Sequence, residues 1–253
     1  MRAAILLFLT LSACASAPPG GVNDPYEPFN RRVHAFNKGL DATVLRPLAR
    51  RAGGNAPTAP AATTAKGATA GGPNAAPPGP IEMIGNVSAN LSLPGKVVNS
   101  LLQGRPEPAI RNTFRFLVNT TVGLGGVLDP AGADFALPEI DTDFGETLHV
   151  WGVPEGAYLE LPVLGPSTER DLAGMIVNTV IDPVDNWLNR DQRTAKLAAR
   201  VASKAGDRTQ FGSTVDSVLH ESADSYAQTR LLYLQHRRFE LKQEQDAIDP
   251  YAE

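Results

Sequence analysis

With one cysteine in 253 residues, the chain has no partner for an intramolecular disulfide and no cysteine-rich zinc or iron–sulfur site. Neither sign of charge dominates. The 23 Lys and Arg stand against 27 Asp and Glu, a net charge of −4, which excludes a nucleic-acid binder built on bulk positive charge. Long hydrophobic runs are missing as well: no segment approaches the roughly 18–20 apolar residues that a bilayer-spanning helix needs. The four histidines, His34, His149, His220 and His236, contain no H-x-x-x-H pair and none lies near the cysteine at zinc spacing, so no metal set is expected. Gly165-Pro166-Ser167 lacks the second glycine of a G-x-S-x-G elbow. Gly123-Leu124-Gly125-Gly126 fails as a dinucleotide loop, because Leu128 stands where the third glycine belongs. Asp141 and Asp143 have no nearby acid, base or metal motif to work with. The expectation is a protein with no catalytic residues, no metal and no cofactor.

What is present begins at the N-terminus. Met1–Arg2 form a short positive region, and Ala3 to Leu11 form an apolar stretch interrupted only by Thr10. That is signal-peptide length. Leu11-Ser12-Ala13-Cys14 then places a large apolar residue and two small ones before the only thiol. The pattern resembles the bacterial lipobox, in which the cysteine is acylated after the signal is removed, so residues 1–13 are expected to be a lipoprotein signal peptide and Cys14 the lipidation site. Several acyl chains at about 0.8 kcal/mol per buried CH₂ anchor a protein almost permanently. Ala15 occupies the position where the inner-membrane retention signal would place Asp. By that sorting rule, the expected location is the periplasmic leaflet of the outer membrane.

Residues 52–80 hold 10 Ala, 6 Gly, 6 Pro and 4 Thr and no large apolar side chain. Such a segment cannot offset its ordering entropy by burial, so it is expected to be a disordered insertion within a single domain spanning 14–253. The rest is mainly helical in pattern. Phe29, Val33, Phe36 and Leu40 recur at helical spacing over about 27–40. A second helix starts near Ile81 and is expected to break at Pro94. Pro106 opens a longer one through Ile110, Phe114 and Leu117, closed near Gly123. Asp143 is placed to cap Phe144–Val150, Thr168 to Ile181 is broadly apolar, and helical stretches follow around 183–205, 212–220 and 222–245. Tyr158–Val163 is the best strand pattern, and Pro162 weakens it. Residues 240–253, with five acids and one lysine, are expected to fray. The fold class is mostly α: short amphipathic helices with many Pro and Gly breaks and no transmembrane helix. Arg193, Lys196, Arg200 and Lys204 form a row at helical spacing that reads either as a solvated face or as a basic surface for anionic headgroups.

A succession of motifs then points to a family. Asn23-Asp24-Pro25-Tyr26-Glu27-Pro28-Phe29-Asn30-Arg31 is followed by Phe36-Asn37 and Leu45-Arg46-Pro47. Asn86-Val87-Ser88-Ala89-Asn90-Leu91 and Val98-Asn99-Ser100-Leu101-Leu102-Gln103-Gly104 come next, then Arg115-Phe116-Leu117-Val118-Asn119-Thr120-Thr121-Val122-Gly123-Leu124-Gly125-Gly126. Asp143-Phe144-Gly145-Glu146-Thr147-Leu148, Leu161-Pro162-Val163-Leu164-Gly165-Pro166-Ser167-Thr168 and Asp224-Ser225-Tyr226 complete the order. The chain resembles the MlaA (VacJ) lipoproteins from about residue 23 to 240, except over 52–80; Ser225 stands where that family suggests proline.

The resemblance implies a ring-like helical protein lying in the periplasmic leaflet of the outer membrane and enclosing an amphipathic channel. It implies that phospholipid misplaced in the outer leaflet is removed and passed to a soluble periplasmic lipid carrier, with a trimeric porin as partner. Channel or hinge candidates are Asn30, Arg31, Phe36 and Asn37 on the N-terminal helix and Gly123, Gly125 and Gly126 after the long one. Two of these assignments have plain alternatives. Phe36 shares a face with Phe29 and Val33, so core packing is its other role, and the glycines also suit a helix cap. A structural, porin-holding lipoprotein without transport activity is the alternative function, and a lipid hydrolase is opposed by the missing nucleophile motif. Cys14→Ser is expected to leave an uncleaved or mislocalised precursor; intact-mass analysis showing an unacylated mature wild-type N-terminus would reject the lipobox.

Overall fold

The structure is a computed structural model that describes residues 22–53, 79–184, 188–194, 196 and 211–246. Cys14, the signal peptide and most of 52–80 lie outside the described residues, as do Arg200 and Lys204. Helix α1 spans Glu27–Leu40 and has Pro28 in its first turn. A π-helical turn, Asp41–Leu45, leads into α2, Arg46–Gly53. Helices α3 (Pro80–Leu102) and α4 (Pro106–Thr121) form a hairpin, followed by the short α5 (Pro130–Ala133) and α6 (Phe144–Val150). Strands β1 (Tyr158–Leu161) and β2 (Gly165–Thr168) pair antiparallel, Tyr158 opposite Thr168 and Leu161 opposite Gly165. Then come α7 (Glu169–Ile181), α8 (Gly212–Asp216), a second π-helical turn (Ser217–Glu221) and α9 (Ser225–Asp246). Most described residues are helical, and no helix among them is long and apolar enough to cross a membrane.

Local chemistry sets several boundaries. The Asp143 carboxylate accepts from the Glu146 N–H at 2.8 Å and starts α6, and the Thr168 hydroxyl accepts from the Asp171 N–H at 3.2 Å and starts α7. At the end of α3, Gly104 has φ +73° and the Arg105 N–H closes back on the Ser100 carbonyl at 2.9 Å. That left-handed glycine turns the chain into α4.

Three expectations need correction. Pro94 does not end its helix: α3 runs through it, and Leu93 beside it is fully buried. Proline removes one donor to the Asn90 carbonyl, and packing against α4 and α6 outweighs that loss. The 240–253 stretch does not fray at its start, since α9 continues to Asp246 and buries Leu241. Pro162 ends β1 instead of disrupting it, lying just outside the strand in the Pro162–Leu164 turn, where no ladder donor is needed.

The apolar centre is small. Tyr158, Tyr226 and Leu234 form a buried cluster with Tyr233 packed against it, and the three tyrosine rings meet edge to face. It joins β1 to α9. Elsewhere, helices approach through glycine: a Cβ on Gly174 of α7 would lie 2.3 Å from the Gly145 amide nitrogen of α6. Gly174→Ala is therefore expected to cost about 1–3 kcal/mol by overpacking. Gly39→Ala, in α1 with nothing within 4 Å of its added carbon, is expected to stabilise by about 0.5–1 kcal/mol. Thermal unfolding of both variants in detergent checks the opposite signs.

Candidate functional site

Helix α4 carries two faces at helical spacing. Pro108, Asn112, Arg115 and Asn119 are buried, while Ile110, Phe114 and Leu117 are each more than half exposed. This is the reverse of a helix in water, which turns its apolar stripe inward. The reversal recurs. Phe29 and Phe36 on α1, Leu101 at the end of α3, Val122 and Leu124 after α4, and Ile176 and Val180 on α7 are all exposed. Soluble monomers rarely show large contiguous apolar patches, and such surfaces mark contact with protein or membrane.

The interior is correspondingly polar, and its side chains bond one another across elements, while Asn90 Oδ1, Arg115 Nε and Arg170 Nη2 are buried without a partner. Arg115 donates to Asp129 Oδ2 at 2.6 Å, Asn119 Nδ2 donates to Asp129 Oδ1 at 2.8 Å, and the Asn119 amide oxygen accepts from the Ala131 N–H. Asn112 Nδ2 donates to the Ile140 carbonyl at 2.8 Å and its oxygen accepts the Ile140 N–H. These side chains thus supply bonds to the 129–140 segment beyond those its own backbone makes. Deeper in, Gln103 donates to the Thr142 and Thr147 hydroxyls, Thr147 donates to Asn99, and Asn99 donates to Asn178, linking α3, α6 and α7. Arg105 closes on Glu146 at 2.8 Å. Trp151, exposed and stacked edge-on against Phe144, donates its indole N–H to the Leu102 carbonyl at 3.2 Å.

Arg237 of α9 clasps two helix starts at once. It donates to the Asp143 carboxylate at 2.8 and 2.9 Å and to Asp171 at 3.1 Å, and the Tyr233 hydroxyl donates to Asp171 at 2.5 Å. Burial alone would raise the Asp171 carboxyl, but Arg237 and the Tyr233 hydroxyl outweigh it and hold it below the ordinary carboxylate value. Burial likewise opposes the Arg237 charge, yet Asp143 and Asp171 raise its pKa and keep it charged. Beside this clasp lies a polar cleft of about 160 Å³ lined by Asp141, Thr142, Glu146, Arg237 and Glu240.

The candidates from the sequence separate into different roles. Asn30 is fully buried: it donates to Asp24 and to the Tyr158 carbonyl and accepts the Glu160 N–H, clamping α1 to β1. Asn37 does the same further along, donating to the Leu161 carbonyl and accepting from Val163 at 2.8 Å. That bond holds Val163 at φ +68°, a backbone state that β-branched residues avoid. Arg31 is exposed, pairs with Glu27 and Asp224, and lies over the Tyr226 ring. Asp224 falls to about 2 through its hydrogen bonds from Arg31 and the Ala227 amide. Phe36 faces outward at 56% exposure, so the core role is excluded for it.

The glycine turn packs against α3, away from these. The Gly126 N–H bonds the Asn119 carbonyl at 2.8 Å and the Gly125 N–H bonds that of Thr120, a helix cap. Gly125 and Gly126 have φ +75° and +91°, and a Cβ on Gly126 would meet Asn90 at 2.6 Å. Gly123 is equally confined, a Cβ there lying 2.5 Å from the Asn119 carbonyl oxygen. In the basic row, Lys196 is not on a solvated face: it is buried and pairs with Asp182 at 2.6 Å, whereas Arg193 is exposed. The Arg237 clasp was not foreseen, because its partners lie 66 and 94 residues away. The inward face of α4 did leave a signal, since Asn112, Arg115 and Asn119 recur at i, i+3 and i+7.

Comparison with known proteins places these features in a family. The MlaA lipoprotein family matches residues 22–66 and 68–240. An intermembrane phospholipid transport system lipoprotein MlaA of Escherichia coli is 31% identical over 236 residues, covering 90% of this chain and 83% of its own. The protein of the same description from Haemophilus influenzae is 30% identical, covering 94% and 88%. An uncharacterized Rickettsia felis protein is 34% identical over 83% of this chain and 74% of its own. A structure solved in work on the maintenance of bacterial outer membrane lipid asymmetry superposes with a TM-score of 0.65 at 28% identity, covering 86% of this chain and 98% of that one.

The reversed faces of α4 predict opposite consequences for neighbouring residues. Arg115→Ala removes the guanidinium that pairs with the Asp129 carboxylate and is expected to cost about 3 kcal/mol or more. Phe114→Ala is expected to change stability by no more than about 0.5 kcal/mol. Thermal melts followed by circular dichroism, with both variants in one detergent, measure the difference.

Proposed function

The chain belongs to the MlaA lipoprotein family, and from that membership we propose that it withdraws misplaced phospholipid from the outer leaflet of the outer membrane and passes it to a soluble periplasmic carrier. The observation that carries this reading is the reversed amphipathicity. Helices that expose Phe, Leu and Ile while turning Asn112, Arg115 and Asn119 inward onto hydrogen-bond partners suit a body lying flat among acyl chains. A polar interior bounded by apolar helices offers a headgroup one environment and the tails another.

In this reading Cys14 carries the acyl anchor, and a trimeric porin holds the protein in the periplasmic leaflet. Phe36 borders the lipid path, and the glycine turn is a rigid cap that fixes the end of α4. The family is one of transport lipoproteins, not a known enzyme family. No bond-making step is needed, because moving a lipid requires only that headgroup and tails each keep a matching environment.

A null mutant is expected to accumulate phospholipid in the outer leaflet, and the wild-type gene to reverse it. Phe36→Ala, measured in the same strain, is expected to keep normal protein abundance and shift the lipid distribution. An unchanged outer leaflet in the null mutant would favour the porin-holding structural role and reject transport.

A further inference from the structure

Outside the polar interior, three potential metal ligands converge from two widely separated stretches of chain. Asp41 opens the π-helical turn after α1, Asp216 ends α8, and His220 lies in the second π-helical turn. One ligand atom from each lies within 4.8 Å of the other two. His220 Nε2 is 2.9 Å from Asp41 Oδ2. Asp216 and His220 are four residues apart and so share one helix face. Both π-helical turns among the described residues fall at this one place, and such turns are rare and frequently functional.

Arg46 reaches Asp216 through a single Nη2 contact at 3.1 Å, and its Nε is buried without a hydrogen-bond partner. An arginine built for a carboxylate forms a two-toothed fork. Asp41 is itself only 4% exposed. Two carboxylates and an imidazole nitrogen leave a fourth position for water, which is the donor set of zinc and its first-row neighbours. Calcium and magnesium would demand about six oxygens. Ligands sharing one zinc stand about 3.2–3.6 Å apart at bond lengths of about 2.0–2.2 Å. Binding an ion therefore requires the Asp216 carboxylate to turn from Arg46 toward the other two ligands, and the His220–Asp41 hydrogen bond to give way to the metal.

We propose that Asp41, Asp216 and His220 form a divalent transition-metal site, with zinc the preferred ion, that fastens the end of α1 to the segment leading into α9. An ion there would fix α1 and with it the outward-facing Phe36. Sequence spacing gave no hint of this, because Asp41 is 175 residues from its nearest co-ligand and the Asp216–His220 pair is not of the H-x-x-x-H type.

The test titrates Zn²⁺ and Co²⁺ into the metal-stripped, purified full-length mature chain in detergent. One equivalent of Co²⁺ is expected to develop visible d–d absorption, and Zn²⁺ to displace it and raise the melting temperature; Mg²⁺ should do neither. His220→Asn and Asp216→Asn are each expected to weaken binding about 100-fold or more. His236→Ala removes an exposed histidine that pairs with Glu240 and should bind as wild type does. Failure of the wild-type chain to take up one equivalent would overturn the site. So would unchanged binding in a folded His220→Asn or Asp216→Asn variant, or binding lost with His236→Ala, which would assign the metal to that surface pair.

Discussion

A helix that turns Ile110, Phe114 and Leu117 outward must turn Asn112, Arg115 and Asn119 inward, and an inward polar group destabilises the fold unless it is paired. That requirement shapes the surrounding chain. The 129–140 segment, which contains α5, offers Arg115 and Asn119 an aspartate, and Asn112 a carbonyl and an amide. Side chains of α4 take its Ala131 and Ile140 N–H groups and its Leu137 and Ile140 carbonyls, beside the backbone bonds of the α5 turn. The polar interior is thus the counterpart of an apolar exterior, and neither is stable without the other.

The same logic explains how so small an apolar cluster holds a chain of this size together. Tyr158, Tyr226 and Leu234 supply hydrophobic contact, but the reach across the fold comes from charged and amide side chains. Asp24 accepts from Asn30, the Tyr226 hydroxyl and Arg230, tying the start of the described chain to its final helix. Glu160 of β1 sits between His34, Asn37 and the Tyr158 hydroxyl. Arg237 binds the starts of α6 and α7 through their aspartates, so one α9 side chain sets the relative position of two helices whose backbones touch at Gly145 and Gly174. Buried charge of this kind fixes geometry more surely than it adds stability.

Much of the secondary structure was legible because its causes are local. Pro106 and Gly123 bracket α4, Asp143 and Thr168 cap the helices that follow them, and each signal acts within about one turn. Pro94 does not break α3, because propensity is a local preference and tertiary packing overrides it. The apolar stripe of α1 was visible, but a stripe has no sign: Phe29, Val33 and Phe36 at helical spacing suit a core or a membrane equally. Val33 turned inward and both phenylalanines outward.

By itself, the sequence determined the helical class and, through its ordered motifs, the MlaA family, because these depend on residue order and on contacts close in the chain. Only the tertiary structure decided which face is lipid-like and which polar groups meet. Asn30 finds the Tyr158 carbonyl 128 residues away, and Asp41 finds His220 at a separation of 179. No periodicity encodes such pairings. They follow from where the packed helices bring the chain back.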